Sequence, residues 1–442
     1  MIIDNKIPEL KRYRKIEERI PLEQASQFLN LVIPFINVDA PVHRWFRFKE
    51  SFSANLLAQI LAELPVSLGK KFRLLDPFCG VGTVLVTSQE LTAEGYEIEP
   101  IGIERNPFIA FIANAKSHWQ QIDHDNLLDI GKKLYKKSQS LSLDIPELSS
   151  LRSGRCISRH LSKRILALSQ TIQGAGKSAT HRALLLGLAG AIEPVSYVRK
   201  DGRALRLVQR KQKHLRGVLE ERWRAIAEDS LFLQSYLPNA PSAKIITGDG
   251  RRPTKYGIKK NSIDIIVTSP PYPNNIDYSE VYKLELWLLG FINNNSQFLR
   301  LRKKTFRSHP LCSQPDITTE FSRAINRGRL ADLLQPALVR LSSNPEQWRK
   351  KVLLGYVADM WTSLQEQHLC LRKGGYAALV VGNSLHGCSE LPYLIPTDLI
   401  IAELGRSIGF EVENILIARS LKRRLSGNHF LRESVVLLKK VK

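Results

Sequence analysis

Two stretches of this 442-residue chain hold residue types that could do chemistry. In "TSPPY" (268–272), two prolines follow closely on the apolar run "IDIIV". Proline lacks the backbone N–H and holds φ at about −65°, so Pro270 and Pro271 end sheet pairing and stiffen the chain. The result is a rigid polar corner at the carboxyl edge of a strand. The Ser269 hydroxyl and the Pro270 carbonyl are its fixed acceptors, and Tyr272 sets an aromatic ring beside them. The second stretch, "LLDPFCGVGTVL" (74–85), reads as a strand, a glycine turn and a helix start. Gly80 and Gly82 would let backbone approach a ligand closely, with a helix N-terminus behind them. Glu104 closes the next strand, "IGIE", 22 positions after Gly82. In a doubly wound sheet a carboxylate there grips ribose hydroxyls. A nucleotide-like cofactor fits this pattern, although the dinucleotide fingerprint G-x-G-x-x-G and the P-loop are both absent.

"DPFCGVGT" resembles the methyl-donor loop of the amino-methyltransferases, enzymes that use S-adenosylmethionine on exocyclic amines of nucleic acids. "TSPPY" matches the same family's catalytic loop, [DNS]-P-P-[YFW]. The resemblance implies that Asp76, Phe78, Gly80 and Gly82 hold the methionine end of the cofactor and that Glu104 holds its ribose. It also implies that Asp249, in "ITGDGR", contacts the cofactor's adenine amine. "HRWFRFKESFSANLLAQIL" (43–61) is similar to the family segment that completes the pocket, with Lys49, Ser51 and Phe52 as its nearest matches. Ser269, Pro270, Pro271 and Tyr272 are then the catalytic set. An amine conjugated to a base ring is a poor nucleophile. It must be held rigidly and made more tetrahedral before it attacks a sulfonium methyl in line.

Within the family S-P-P-Y points to cytosine N4 ahead of adenine N6. An RNA base amine and an inactive, nucleic-acid-binding version of the fold remain as alternatives. Methylation at cytosine carbon-5 is disfavoured, since no Pro-Cys nucleophile lies at the hook. The implied partner is double-stranded DNA with its target base flipped out, and a cognate restriction nuclease would accompany a modification enzyme.

Elements that would position these loops are legible as alternating apolar runs and amphipathic segments, the pattern of a parallel α/β sheet. "FRLLD", "YEIEPIGIER", "AKIITGDG", "SIDIIV" and "YAALVVGNS" read as strands, and "GFEVENILIARS" with "ESVVLLKK" as an antiparallel C-terminal hairpin. The expected fold is a Rossmann-like methyltransferase sheet interrupted twice. Residues 1–42 form an extension, and 43–115, 243–290 and 351–442 the catalytic domain. Residues 116–242 are a largely helical basic insertion, and 291–350 a second, irregular basic insertion that is a candidate target-recognition region. From 116 to 243 there are 22 Lys+Arg against 11 Asp+Glu, and from 290 to 350 there are 11 against 4.

Over the whole chain Lys+Arg outnumber Asp+Glu by 65 to 42, giving a net charge of +23. Such an excess suits a polyanionic partner. Cys79, Cys156, Cys312, Cys370 and Cys388 stand singly, which disfavours a zinc site and suits a reduced, cytoplasmic setting. No metal site, signal core or membrane span is expected. Trp287 reads as core, and His43, His309 and His429 as isolated, hydrogen-bonded histidines.

Overall fold

The computed structural model describes residues 7, 9–201, 205–209, 211–273, 276–313, 317–342, 347–387, 392–421 and 429–442. Cys388 lies outside them. Eight strands form one sheet: β1 (Leu22–Gln24), β2 (Phe72–Asp76), β3 (Ile98–Glu104), β4 (Lys244–Thr247), β5 (Ile263–Thr268), β6 (Leu371–Gly382), β7 (Phe410–Ser420) and β8 (Arg432–Lys440). Their order is β1-β7-β8-β6-β5-β2-β3-β4. Strands β4, β3, β2, β5 and β6 run parallel, and β8 alone is antiparallel to its neighbours on both sides. The β7–β8 pair is the expected C-terminal hairpin, and β1 adds a parallel edge beside β7.

Both faces of the central strands are buried, which is why they read as unbroken apolar runs. Alternate side chains part to opposite sides. Ile266, Leu379, Val381, Val436 and Leu438 join one core. Ile265, Val267, Ala378, Val380, Val435 and Leu437 join the other. The first core is covered by helices Leu10–Glu17, Gly328–Arg340, Gln347–Cys370 and Thr397–Ile408; the second takes helix Leu56–Ala62.

Between β3 and β4 the chain is helical, with Leu127–Ser138, Arg159–Ala175, Ala179–Val195 and Leu215–Tyr236 as its main helices. They share a core with helix Pro107–Ser117 and with Trp287, which is fully buried. One feature of this region differs from expectation. Part of the basic run 196–216 folds as a short hairpin, Val198–Lys200 against Leu205–Leu207.

The second insertion differs more. It is not irregular: Asn295–Lys304, Thr319–Ile325 and Gly328–Arg340 are helices. The apolar stripe of the last two (Phe321, Ile325, Leu330, Leu333, Leu334, Leu338) packs onto the sheet core, while Phe298 of the first joins the core of the first insertion. Basic side chains between those positions, and Pro336 inside the third helix, hide the 3.6-residue period from a linear reading.

The carboxyl ends of β2, β3, β4 and β5 meet at one edge, where the loops after them crowd together. Gly250, after β4, lies so close to the loop after β2 that a Cβ there would overlap the Pro77 carbonyl. Gly250→Ala should therefore force backbone apart and cost on the order of 3 kcal/mol or more. A urea midpoint equal to that of the wild type would show that this approach is not enforced.

Candidate active site

One cavity of about 510 Å³ opens at that edge. Twelve of the thirteen residues expected from sequence line it: Lys49, Ser51, Phe52, Asp76, Phe78, Gly80, Glu104, Asp249, Ser269, Pro270, Pro271 and Tyr272. Gly82 sits behind the wall. With φ +83° it is the N-cap of helix Thr83–Glu90, and a Cβ there would stand 3.2 Å from Ala113 on the neighbouring helix. Its work is to let two helices close up; Gly80, with φ +51°, faces the cavity.

The glycine turn is held by two carboxylates. Glu104, at the end of β3, accepts from the Gly80 N–H (3.2 Å) and the Asn106 N–H (2.7 Å). Asp76, at the end of β2 and 2 % exposed, accepts from the Phe78 N–H (3.0 Å). The same Asp76 oxygen, Oδ1, accepts from Thr268 Oγ1 at 2.7 Å. Thr268 is the last residue of β5, so this buried bond ties the glycine turn to the corner that begins at Ser269.

Neighbouring residues fix the remaining walls. Ser51 and Thr83 share a hydroxyl–hydroxyl bond of 2.7 Å. Lys49 Nζ donates to the Lys200 carbonyl (2.5 Å), which anchors the pocket segment to the first insertion. Phe78 packs edge-on against Phe306 of the second insertion, centroids 5.5 Å apart. Asp249 is gripped by Arg251 through Nε (2.9 Å) and Nη2 (2.7 Å), with Arg105 at 3.0 Å. Arg251 also reaches Asp359 at 2.8 Å, so Asp249 is braced from behind. At the hook, Tyr272 lines the cavity together with Ser269. Its ring lies over Gly382 in β6, where a Cβ would come within 3.0 Å of Cε2.

Burial shapes the charges. It pushes Asp76 up to about 7 against the pull of its hydrogen bonds from Thr268 and Phe78. Burial likewise lifts Glu104 to about 7, opposed by the N–H groups of Asn106, Gly80 and Arg105. At Asp249 burial also raises the pKa, but Arg251 and Arg105 outweigh it and hold the carboxylate below its usual range. Asp249 is an ionised group already supplied with donors, whereas Asp76 and Glu104 sit near the balance between protonated and ionised forms.

Several residues escape a motif reading. Thr268 stands inside the quoted pentapeptide, yet nothing in the sequence pairs it with Asp76. Phe306, Ser308 and His309 from the second insertion line the cavity, as do Arg419 and Glu433 from the C-terminal hairpin. His309 is 3 % exposed; its Nε2 meets Thr305 Oγ1 at 2.9 Å and its Nδ1 has no hydrogen-bond partner among the described residues. Asn383, just beyond β6, bonds Asp398 and the Phe430 carbonyl and is not part of the cavity wall.

Two outcomes test this arrangement. Thr268→Val keeps the shape but leaves buried Asp76 short of a donor, and should lower stability by about 1–3 kcal/mol while Thr268→Ser stays near wild type. Equal denaturation midpoints for all three would refute the tie. The second outcome concerns pH. Glu104 and Asp76 hold protons in the folded chain at pH values where the unfolded chain has released them, so stability falls as pH rises from about 5 to 7 and levels above. Glu104→Gln should flatten part of that decline, and parallel pH profiles for variant and wild type would contradict it.

No family model matches the chain. Among curated proteins, the Type II methyltransferase M.AvaI of Nostoc sp. is 26 % identical over 499 aligned residues, covering 99 % of this chain and 95 % of that one. The Type II methyltransferase M.BsoBI of Geobacillus stearothermophilus is 25 % identical, covering 98 % and 92 %. Among solved structures, the rRNA methyltransferase aviRa of Streptomyces viridochromogenes is 12 % identical, with a TM-score of 0.31 over 90 % of this chain and 85 % of that one. A superposition that loose carries no weight for function. The sequence relatives do carry weight, because they run through both loops and both insertions rather than through a shared sheet alone. Along nearly its full length, this chain is similar to the Type II methyltransferases M.AvaI and M.BsoBI.

Proposed function

We propose that this chain transfers a methyl group from S-adenosylmethionine to an exocyclic base amine of double-stranded DNA at a specific site, with cytosine N4 as the acceptor. One observation carries the reading: the buried Thr268–Asp76 bond, which sets the glycine turn and the S-P-P-Y corner side by side in one cavity.

The cavity suits the cofactor. Its volume falls in the ordinary range for small-molecule sites. Polar atoms of Asn106 (Nδ2), Glu50 (Oε1) and Ser279 (Oγ) are buried in residues of its wall with no hydrogen-bond partner among the described residues. When bound, S-adenosylmethionine supplies an electrophilic methyl on a sulfonium. Glu104 would hold the ribose hydroxyls, and the Asp76–Gly80 turn the methionine end, with Lys49, Phe52 and Phe78 closing the sides. Asp249 would meet the adenine amine only by sharing its carboxylate with Arg251.

The chain's own contribution to transfer lies at the hook. Ser269 Oγ and the Pro270 carbonyl accept the two amine N–H bonds and draw the hydrogens out of the ring plane. That localises the nitrogen lone pair toward the methyl donor. Pro270 and Pro271 keep those acceptors from relaxing, which is how a fixed near-attack geometry lowers a barrier. Tyr272 gives the flipped base a stacking surface, typically ~1–3 kcal/mol per base. Outside the cavity, Lys303 and Lys304 are exposed on the helix that leads into Thr305, Phe306, Ser308 and His309 of its wall. Basic groups at that rim suit phosphate contacts that position the duplex.

The test is direct. Incubated with labelled methyl donor and unmodified DNA, the wild type should yield N4-methylcytosine by nucleoside mass spectrometry. Ser269→Ala should reduce transfer by on the order of 100-fold or more while cofactor affinity stays within a few-fold. Label appearing only on RNA, or only as N6-methyladenine, would overturn the corresponding part of the proposal.

A further inference from the structure

We propose that Arg419, oriented by Glu433, reads the flipped target base, donating from its guanidinium to two adjacent acceptors of cytosine, the ring N3 and the carbonyl O2. This rests on the cytosine reading above and names the residue that would enforce it.

The placement follows from sheet register. Gly382 of β6 pairs with Glu433 of β8, and Glu433 pairs with Arg419 of β7. The three residues therefore form a row across the sheet. Gly382 lies three positions beyond Leu379, the residue opposite Thr268, so the row runs just past the carboxyl end of β5, where the hook begins. Lacking a side chain, Gly382 leaves room for the Tyr272 ring and the Glu433 stem side by side. A Cβ there would lie 3.0 Å from Tyr272 Cε2 and 3.3 Å from Glu433 Cγ. Arg419 and Glu433 both line the cavity that holds Ser269 and Tyr272.

The pair divides its work. Glu433 is 9 % exposed and accepts from Arg419 Nε at 2.5 Å. Burial raises the Glu433 pKa and the Arg419 pairing opposes it. Among the described residues the two Nη groups of Arg419 have no hydrogen-bond partner. Glu433 thus fixes one edge of the guanidinium and leaves the other, a planar fork of donors, for the cavity.

A base whose amine is held at the hook presents its next edge atoms to this side. For cytosine these are N3 and O2, two adjacent acceptors that match the fork. For adenine they are N1 and C2–H, a single acceptor followed by a carbon. A guanidinium therefore prefers cytosine, and leaves one donor desolvated and unmet over adenine. Glu433 acts through Arg419 and is a positioning residue.

The experiment is a cycle between protein and base, using a duplex that carries a site mapped in DNA methylated by the wild type. In a matched duplex the target cytosine is replaced by 3-deazacytosine, which lacks the N3 acceptor. With wild type, kcat/KM should fall ~10- to 100-fold on the 3-deaza duplex, as expected for losing a charge-assisted bond. Arg419→Met should lose a similar factor on the unmodified duplex and little more on the 3-deaza duplex. Arg419→Lys should recover part of the loss, and Glu433→Gln should show a reduced 3-deaza effect with unchanged cofactor affinity. Multiplying losses in Arg419→Met, or a wild-type rate in that variant, would overturn the role of Arg419 alone. If Arg419→Met does not fold, Arg419→Lys carries the same comparison: its 3-deaza penalty must be smaller than that of the wild type. Absence of label from every DNA with the wild type would overturn the functional reading instead, so the two failures are distinct.

Discussion

The hydrogen bond from Thr268 to Asp76 is the constraint on which the rest of this site depends. It joins the ends of two adjacent parallel strands at a point where both chains leave the sheet and lose their mutual pairing. Beyond it, one chain turns into glycines and the other into prolines. Without a link at that level the two loops would be free to diverge, because neither has ladder bonds left to hold it. The link is made inside the protein, and the same carboxylate also fixes the turn through the Phe78 N–H. A single buried oxygen therefore sets both the shape of one loop and its distance from the other.

Around that link the cavity wall is assembled in layers of charge. Asp249, Arg251, Asp359 and Arg307 form an alternating series that runs from the cavity into the second insertion. Lys49 is pinned to the first insertion, and Phe78 rests on Phe306. The insertions are thus part of the wall and not merely attached to its rim. This agrees with the extent of similarity to the curated relatives, which covers the insertions as well as the sheet.

Much of this was readable in the residues themselves. The parallel strands announce themselves because they are buried on both faces, and the two loops because glycine and proline are needed there for backbone reasons that no other residue meets. What stayed hidden has a common cause. Thr268 with Asp76, Glu433 with Arg419 and Arg251 with Asp359 are pairs made by sheet register or by packing between distant segments, and no local spacing encodes them. The helices of the second insertion were hidden differently. Their inward faces are regular, but Pro336 and the interspersed Lys and Arg residues break the period when the segment is read as a line. The hairpin at Val198–Lys200 was masked by charge in the same way.

The edge strand β1 has a consequence of another kind. Its residues, Leu22–Gln24, pair with Ile415–Ile417, and Glu17 nearby bonds Arg432 across 415 positions of chain. These partners are made almost 400 residues apart during synthesis. An early segment must wait, unsatisfied, until its partner strand almost 400 residues later has been made. Contacts of such separation slow the search for the native state, and they also make its last step a seal. The sheet margin closes only when both ends of the described chain are present together.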